Sequence, residues 1–139
     1  MIPATYEQAL LAWSIPRAAM SDNMDEWLAI ACTFRNRVLR YGKTYSEVLE
    51  KAEVNRPRWV AINHPLLINP QNGLLAIIES IYKNETPDFT SNHLVRDGAL
   101  FFGRPQNHQG TGDEFEEKIL KNPEDHPLIG FWGLQGFYK

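Results

Sequence analysis

Groups able to move a proton crowd one junction in the first part of this chain. Residues 10–38 read LLAWSIPRAAMSDNMDEWLAIACTFRNRV: an apolar helical run, a short polar break, then a long apolar helical run. Ala18 falls at the mouth of the break, a sensible place for a catalytic side chain, but a methyl group neither gives nor takes a proton. Asp22, four residues on, is an ionisable alternative. Turned inward it acts as an acid; turned outward it caps the next helix, as Asp commonly does. Asp25 and Glu26 fall in the first turn of that helix, where negative charge suits the helix dipole, and are read as structural. Trp59, Trp132 and Tyr138 offer ring faces on which the C–H groups of a sugar can pack, although buried aromatics usually serve a core. Phe101 and Phe102 are neighbours on an expected strand and face opposite ways. One goes to the core and the other, taken as Phe102, to a groove. His93 follows Thr90, Ser91 and Asn92 in a polar stretch read as a loop, which either touches a substrate or closes a turn on itself.

Other chemistries find little support. Cys32 is alone, so no disulfide forms within the chain, and its apolar helical setting marks a buried, inert thiol. His64, His108 and His126 are scattered and no Cys/His cluster exists, so no metal is expected. Neither a Gly-x-Gly-x-x-Gly nor a Walker pattern is present, and no nucleotide cofactor is implied. Gly-x-Ser-x-Gly, the signature of many serine hydrolases, is also missing.

The elements that must position these residues are mainly helical. Thr5 and Gln8 have capping-box spacing and open a helix over residues 6–14, which Pro16 is expected to kink or break. Asn23 and Glu26 cap a second helix. Trp27, Ile30, Ala31, Phe34, Val38 and Tyr41 recur along it at helical spacing, widened by Leu28, Cys32 and Leu39. So wide a stripe predicts a central helix wrapped by the others, with Gly42 as its stop. Within it, Asn36 is read as a buried polar residue bonded to neighbouring loops. Thr44 and Glu47 open a short helix to about residue 52. Asn69 and Pro70 open another over residues 69–83. Residues 98–103 read as a strand, Thr111 to Glu114 caps a short helix through Leu120, and residues 128–133 and 136–139 form a second strand region. The two apolar runs are expected to pair as a small antiparallel ribbon. The fold class is α+β, mainly helical.

The bulk numbers fit one domain spanning residues 1–139. Hydrophobic content of 43% and charged content of 22% are ordinary for a globular protein. A net charge of −3 gives no pull toward nucleic acid or an anionic membrane. No secretory signal or membrane-spanning run is visible, so no membrane insertion is expected.

Three stretches also carry a resemblance. Ile15-Pro16-Arg17-Ala18-Ala19 resembles the Ile-Tyr-x-Glu-Ala pattern that closes the first helix of the SleB-type cell wall hydrolases. Residues 88–102, ending Gly-Ala-Leu-Phe-Phe, resemble a loop and strand of that family, and residues 129–139, IGFWGLQGFYK, resemble its terminal element. The order is the family's, over nearly the full chain. The resemblance implies a lysozyme-like domain with a buried central helix and a β-ribbon forming one cleft wall. It implies cleavage of peptidoglycan glycan strands between N-acetylmuramic acid and N-acetylglucosamine, as a lytic transglycosylase or muramidase. The family's acid is the Glu that matches Ala18. Where its terminal element often carries a His, this chain has Gln135 or Gly136.

General acid catalysis is worth about 10²–10⁴-fold in rate, so Ala18 implies an inactive Glu-to-Ala form, engineered or natural. Two alternatives stand beside it: a peptidoglycan-binding or inhibitory pseudoenzyme, and an active glycosidase using Asp22. The implied partners are glycan strands and, as a further candidate, a cognate inhibitor or immunity protein. The implied place of action is the cell wall or periplasm, reached from the cytoplasm by export, injection or lysis.

Overall fold

The structure, a computed structural model, describes residues 5–19, 23–49, 74–83 and 93–139. Asp22, Trp59 and the expected helix start at Asn69 lie outside the described residues.

Helix α1, Tyr6–Ala19, opens on the expected capping box: Gln8 N–H donates to Thr5 Oγ1 at 3.2 Å and Thr5 N–H to Gln8 Oε1 at 2.9 Å. Pro16 does not end it. The helix runs one further turn, because Ile15 and Ala19 on either side of the proline are wholly buried and Arg104 donates to the Ala19 carbonyl at 3.0 Å. One deleted N–H is offset by that packing. Ala18 therefore belongs to the last turn of a regular helix.

Helix α2, Met24–Tyr41, is central as expected. Asn23 Oδ1 accepts the N–H groups of Asp25 and Glu26 at 2.9 and 3.3 Å, and Gly42 closes the helix at φ 63°. Every residue from 26 to 36 is buried. Around α2 pack α1, α3 (Tyr45–Leu49), α4 (Leu74–Tyr82), α5 (His93–Gly98) and the first strand. Thr44 and Glu47 cap α3 reciprocally. Glu7 of α1 ties three helices together, accepting Ser46 N–H and Oγ–H at 3.0 and 3.1 Å and the Tyr82 hydroxyl at 3.1 Å. Burial pushes the Tyr45 phenol up to about 12, and Tyr82 rises too, through burial and the Glu7 carboxylate beside it.

Two expectations are corrected at the sheet. Residues 98–103 are not all strand: Gly98 ends α5, Ala99 N–H still bonds back to Val95 O at 3.1 Å, and only Phe101–Gly103 form β1. The cause is Asn36 on α2, whose amide donates to the carbonyls of Arg96 and Ala99, both at 3.0 Å. Those carbonyls are thereby turned toward α2, and sheet bonding begins at Leu100, whose N–H reaches Tyr138 O at 2.8 Å. The two apolar runs do pair antiparallel, residues 101–103 with 136–138, but the second run folds into two strands rather than one. β2 (Leu128–Trp132) and β3 (Gln135–Tyr138) make a hairpin around Gly133 at φ 56°, and β1 adds to β3, giving the antiparallel order β1-β3-β2. Phe102 faces Phe137 across one pairing, and a bulge lies between Leu128 and Gly130 in the other. The described fold is α+β: helices around α2, with a three-stranded antiparallel sheet on one side.

The Asn36 contact gives a first prediction. Asn36→Ala strips the Ala99 carbonyl of its buried donor and is expected to cost about 1–3 kcal/mol, read as a lower urea midpoint. An unchanged midpoint would show that the contact contributes nothing.

Candidate functional site

Ala18 does not lie in the packed interior. It lines a cavity of about 260 Å³ together with Ser14 from α1, Phe34 and Arg37 from α2, Val48 and Leu49 from α3, Phe101 and Phe102 from β1, and Phe115. A second cavity, about 210 Å³, shares Ala18 and Phe102 and continues past them to Gly103, Arg104, Asn107, His108 and Gln135. A third, about 300 Å³, shares Arg37, Val48 and Phe101 with the first and continues to Lys43, Lys118 and His126. The three abut through these shared residues, with helices on one side, β1 on the other and Ala18 where the first two meet; together they are the trough.

The trough is apolar in the middle and polar at the ends. Phe102 packs edge-on against Phe34 at 5.5 Å between ring centres and tilted against Phe137 at 6.2 Å, so it serves the core and the trough together. Phe101 lies under the Arg37 guanidinium, 5.5 Å from ring centre to Cζ, with the His126 ring edge-on at 5.1 Å. Both phenylalanines thus reach the trough, where sequence alternation assigned it only one. β1 is a three-residue edge strand at the groove's rim, which exposes both. Burial lowers the pKa of Arg37 from the usual guanidinium range. Such apolar walls raise the pKa of a carboxyl group placed among them.

The other sequence candidates separate. Tyr138 is 6% exposed on the central strand, and its ring meets Phe115 edge-on at 5.7 Å. Trp132 is half-buried and packs edge-on against Phe137 at 5.6 Å. Neither lines the three cavities; both are held in the sheet's own packing. His93 is not in a loop but is the first residue of α5. Glu26 and Asn36 are buried, as structural readings of them require, and burial pushes the Cys32 thiol up.

The sequence reading passed over the residues that shape the polar end. Residues 104–120 leave β1 through a short helix, α6 (Pro105–His108), and a tight loop, and re-enter helix in a π-helical segment, Glu116–Leu120. Thr111 was the expected cap; instead Asp113 caps, its Oδ1 accepting Glu116 N–H at 2.9 Å, while Thr111 Oγ1 accepts Asp113 N–H at 3.2 Å. The Glu116 carboxylate accepts the N–H groups of Gly110 and Gly112, the latter at 2.9 Å. Those glycines stand at φ 79° and 69°, left-handed backbone that other residues adopt at a cost. So latched, the loop brings His108 Nδ1 to 2.6 Å from Asp113 Oδ2 and lays the imidazole 4.6 Å from the Phe115 ring centre. Phe115 in turn sits on Gly103, where a Cβ would come within 2.7 Å of its ring. The one available signal was a His and an Asp five apart, spanning two glycines.

Among the described residues no group of three His, Cys, Asp or Glu could hold a metal ion, and no helix is long and apolar enough to cross a membrane. Comparisons with protein-family models, curated proteins and solved structures return no match for this chain.

The loop latch has a pH signature. Backbone donors, from Gly112 and Gly110 for Glu116 and from Glu116 for Asp113, together with the His108 ring for Asp113, hold both carboxyls below their ordinary values of 4.5 and 3.8. The unfolded chain then binds protons more readily than the folded one. The latch contributes fully above about those ordinary values and is lost as pH falls through the lowered ones. Glu116→Gln is expected to lower the melting temperature at pH 6, and the gap to the parent should close toward pH 3. A gap independent of pH would contradict the latch.

Proposed function

We propose that this chain is a peptidoglycan-strand-binding domain of lysozyme-like design, with glycan-cleaving chemistry disabled by the alanine at position 18. The observation that carries the reading is the setting of Ala18. Its methyl stands at the junction of two abutting cavities, on the last turn of α1, facing a wall that includes Phe34, Phe102 and Phe115. A glutamic acid in its place would meet those rings, which favour its protonated form, together with Ser14 and the Arg37 guanidinium, which opposes them. Apolar surroundings keep a carboxyl protonated toward neutral pH, as a general acid requires. The trough's two ends, with Arg104, Asn107 and Gln135 at one and Arg37, Lys43, Glu47 and the Lys118–Glu114 ion pair at the other, offer hydrogen-bonding groups to a long polar ligand.

The chemistry suits a single carboxyl. Protonated, it gives its proton to the glycosidic oxygen as the bond to C1 breaks. As a carboxylate it then takes a proton from water, giving hydrolysis, or from the sugar's own C6 hydroxyl, giving a 1,6-anhydro ring. With Ala18 neither transfer has an agent at this position, whereas the aromatic surface for binding is kept. A purely binding role, as a pseudoenzyme, is the second reading, and Ala18 itself favours it.

Ala18→Glu tests the reading. The substituted protein is expected to clear a suspension of purified sacculi and release muropeptides identifiable by mass spectrometry, at least 100-fold faster than the parent. Release by neither form, with sacculi still bound, would favour the pseudoenzyme. Lysis by the parent that Asp22→Asn abolishes would move the chemistry away from position 18.

A further inference from the structure

The polar end of the trough holds a pair of groups that the family resemblance does not supply. His108 lines the cavity it shares with Ala18 and Phe102, and its Nδ1 lies 2.6 Å from Asp113 Oδ2. The chain invests heavily in that contact. Two left-handed glycines, the Glu116 carboxylate on their N–H groups, the Thr111 hydroxyl donating to His108 O at 2.7 Å and the Phe115 ring beside the imidazole together fix where His108 stands. Such support from packing and outer hydrogen bonds is what a precisely placed reactive group needs.

We propose that His108, oriented by Asp113, is a general base of this trough. Asp113 as a carboxylate can only accept, so it selects the imidazole tautomer with the proton on Nδ1. The lone pair is then on Nε2, the ring nitrogen that Asp113 does not hold, on a side chain that lines the cavity. The other ionisable groups around the pair are Glu116, committed to the loop backbone, and Arg104, which lines the same cavity and donates to Ala19 O. The inference rests on the trough being a glycan site. In that setting Nε2 takes a proton from a water molecule as its oxygen bonds to C1. The C1–O bond breaks, the leaving oxygen takes a proton from an acid at position 18 or from solvent, and the imidazolium later returns its proton to water. Acid and base are then separate groups, and attack by that water from the face opposite the leaving oxygen inverts the anomeric centre. For hydrolysis this base takes the place of the carboxylate at position 18 as acceptor of the water's proton; ring closure by the C6 hydroxyl does not use the pair.

The test compares Ala18→Glu with Ala18→Glu/His108→Gln and Ala18→Glu/Asp113→Asn, following reducing-end release from sacculi across pH, with sacculus pull-down as the binding control. His108→Gln is expected to slow release at least tenfold with binding kept, and to remove the acid-side limb of the rate–pH profile; Asp113→Asn should fall between. Equal rates and profiles, or a rate lost only in proportion to binding, would overturn the assignment. If Ala18→Glu cleaves nothing, the glycan-cleaving reading fails, and His108 is judged separately in the parent protein. Long-range ¹H–¹⁵N spectra should show the proton of the neutral His108 ring on Nδ1. A proton on Nε2 would overturn the base whatever the substrate.

Discussion

The contact on which the trough most depends is a side-chain amide far from its chemistry. Asn36 is buried on the central helix, and its two N–H bonds reach the carbonyls of Arg96 and Ala99. A buried amide is costly unless satisfied. Here satisfying it fixes the chain between α5 and β1, and so fixes where Phe101 and Phe102 emerge. Arg35 reinforces the contact, donating to Asn36 Oδ1 at 3.1 Å and to Arg96 O at 2.8 Å, with Asp97 3.9 Å away. The β1 wall of the trough is thus hung from the same helix that supplies Phe34 and Arg37 to its floor.

From that anchor the rest follows by packing. β1 pairs with β3, whose residues are buried throughout, and β3 carries β2 on its far side. Phe102 meets Phe34 and Phe137, so the sheet docks on α2 through one aromatic cluster. Beyond β1, Arg104 reaches back to the end of α1, joining the strand side of the trough to the helix that bears Ala18. The loop that follows folds on itself and sets His108 beside Phe115. Helix α1, strand β1 and the loop are thereby locked around one opening.

Much of this was legible in the sequence, for a local reason. The capping residues Thr5, Asn23 and Thr44 bond to groups two or three residues away, so spacing alone reveals them. The apolar breadth of α2 marked it as central, and residues 26–36 are buried on every side; Leu39 and Tyr41, counted in the same stripe, are exposed because the neighbouring elements do not cover its last turn. The failures are tertiary. α1 is expected to kink or break at Pro16; it does not break there, because the burial of Ile15 and Ala19 and a distant arginine outweigh the lost hydrogen bond. Residues 98–100 look like strand until Asn36, more than sixty positions before Ala99, captures the Ala99 carbonyl. Trp132 and Tyr138 are aromatic in composition and structural in place. His108 reads only as one of several scattered histidines, because nothing in its neighbours' types shows that the loop closes through Gly110, Gly112 and Glu116.

The most direct test of the central claim, that a glycan occupies the trough over Ala18, is NMR shift mapping of the unmodified chain with a soluble N-acetylglucosamine tetramer. Saturable shifts confined to Ala18, Arg37, Phe101, Phe102 and Gln135 are the expected result. Shifts centred elsewhere, such as the exposed faces of α4 and α5, or no shifts at millimolar sugar, would contradict it.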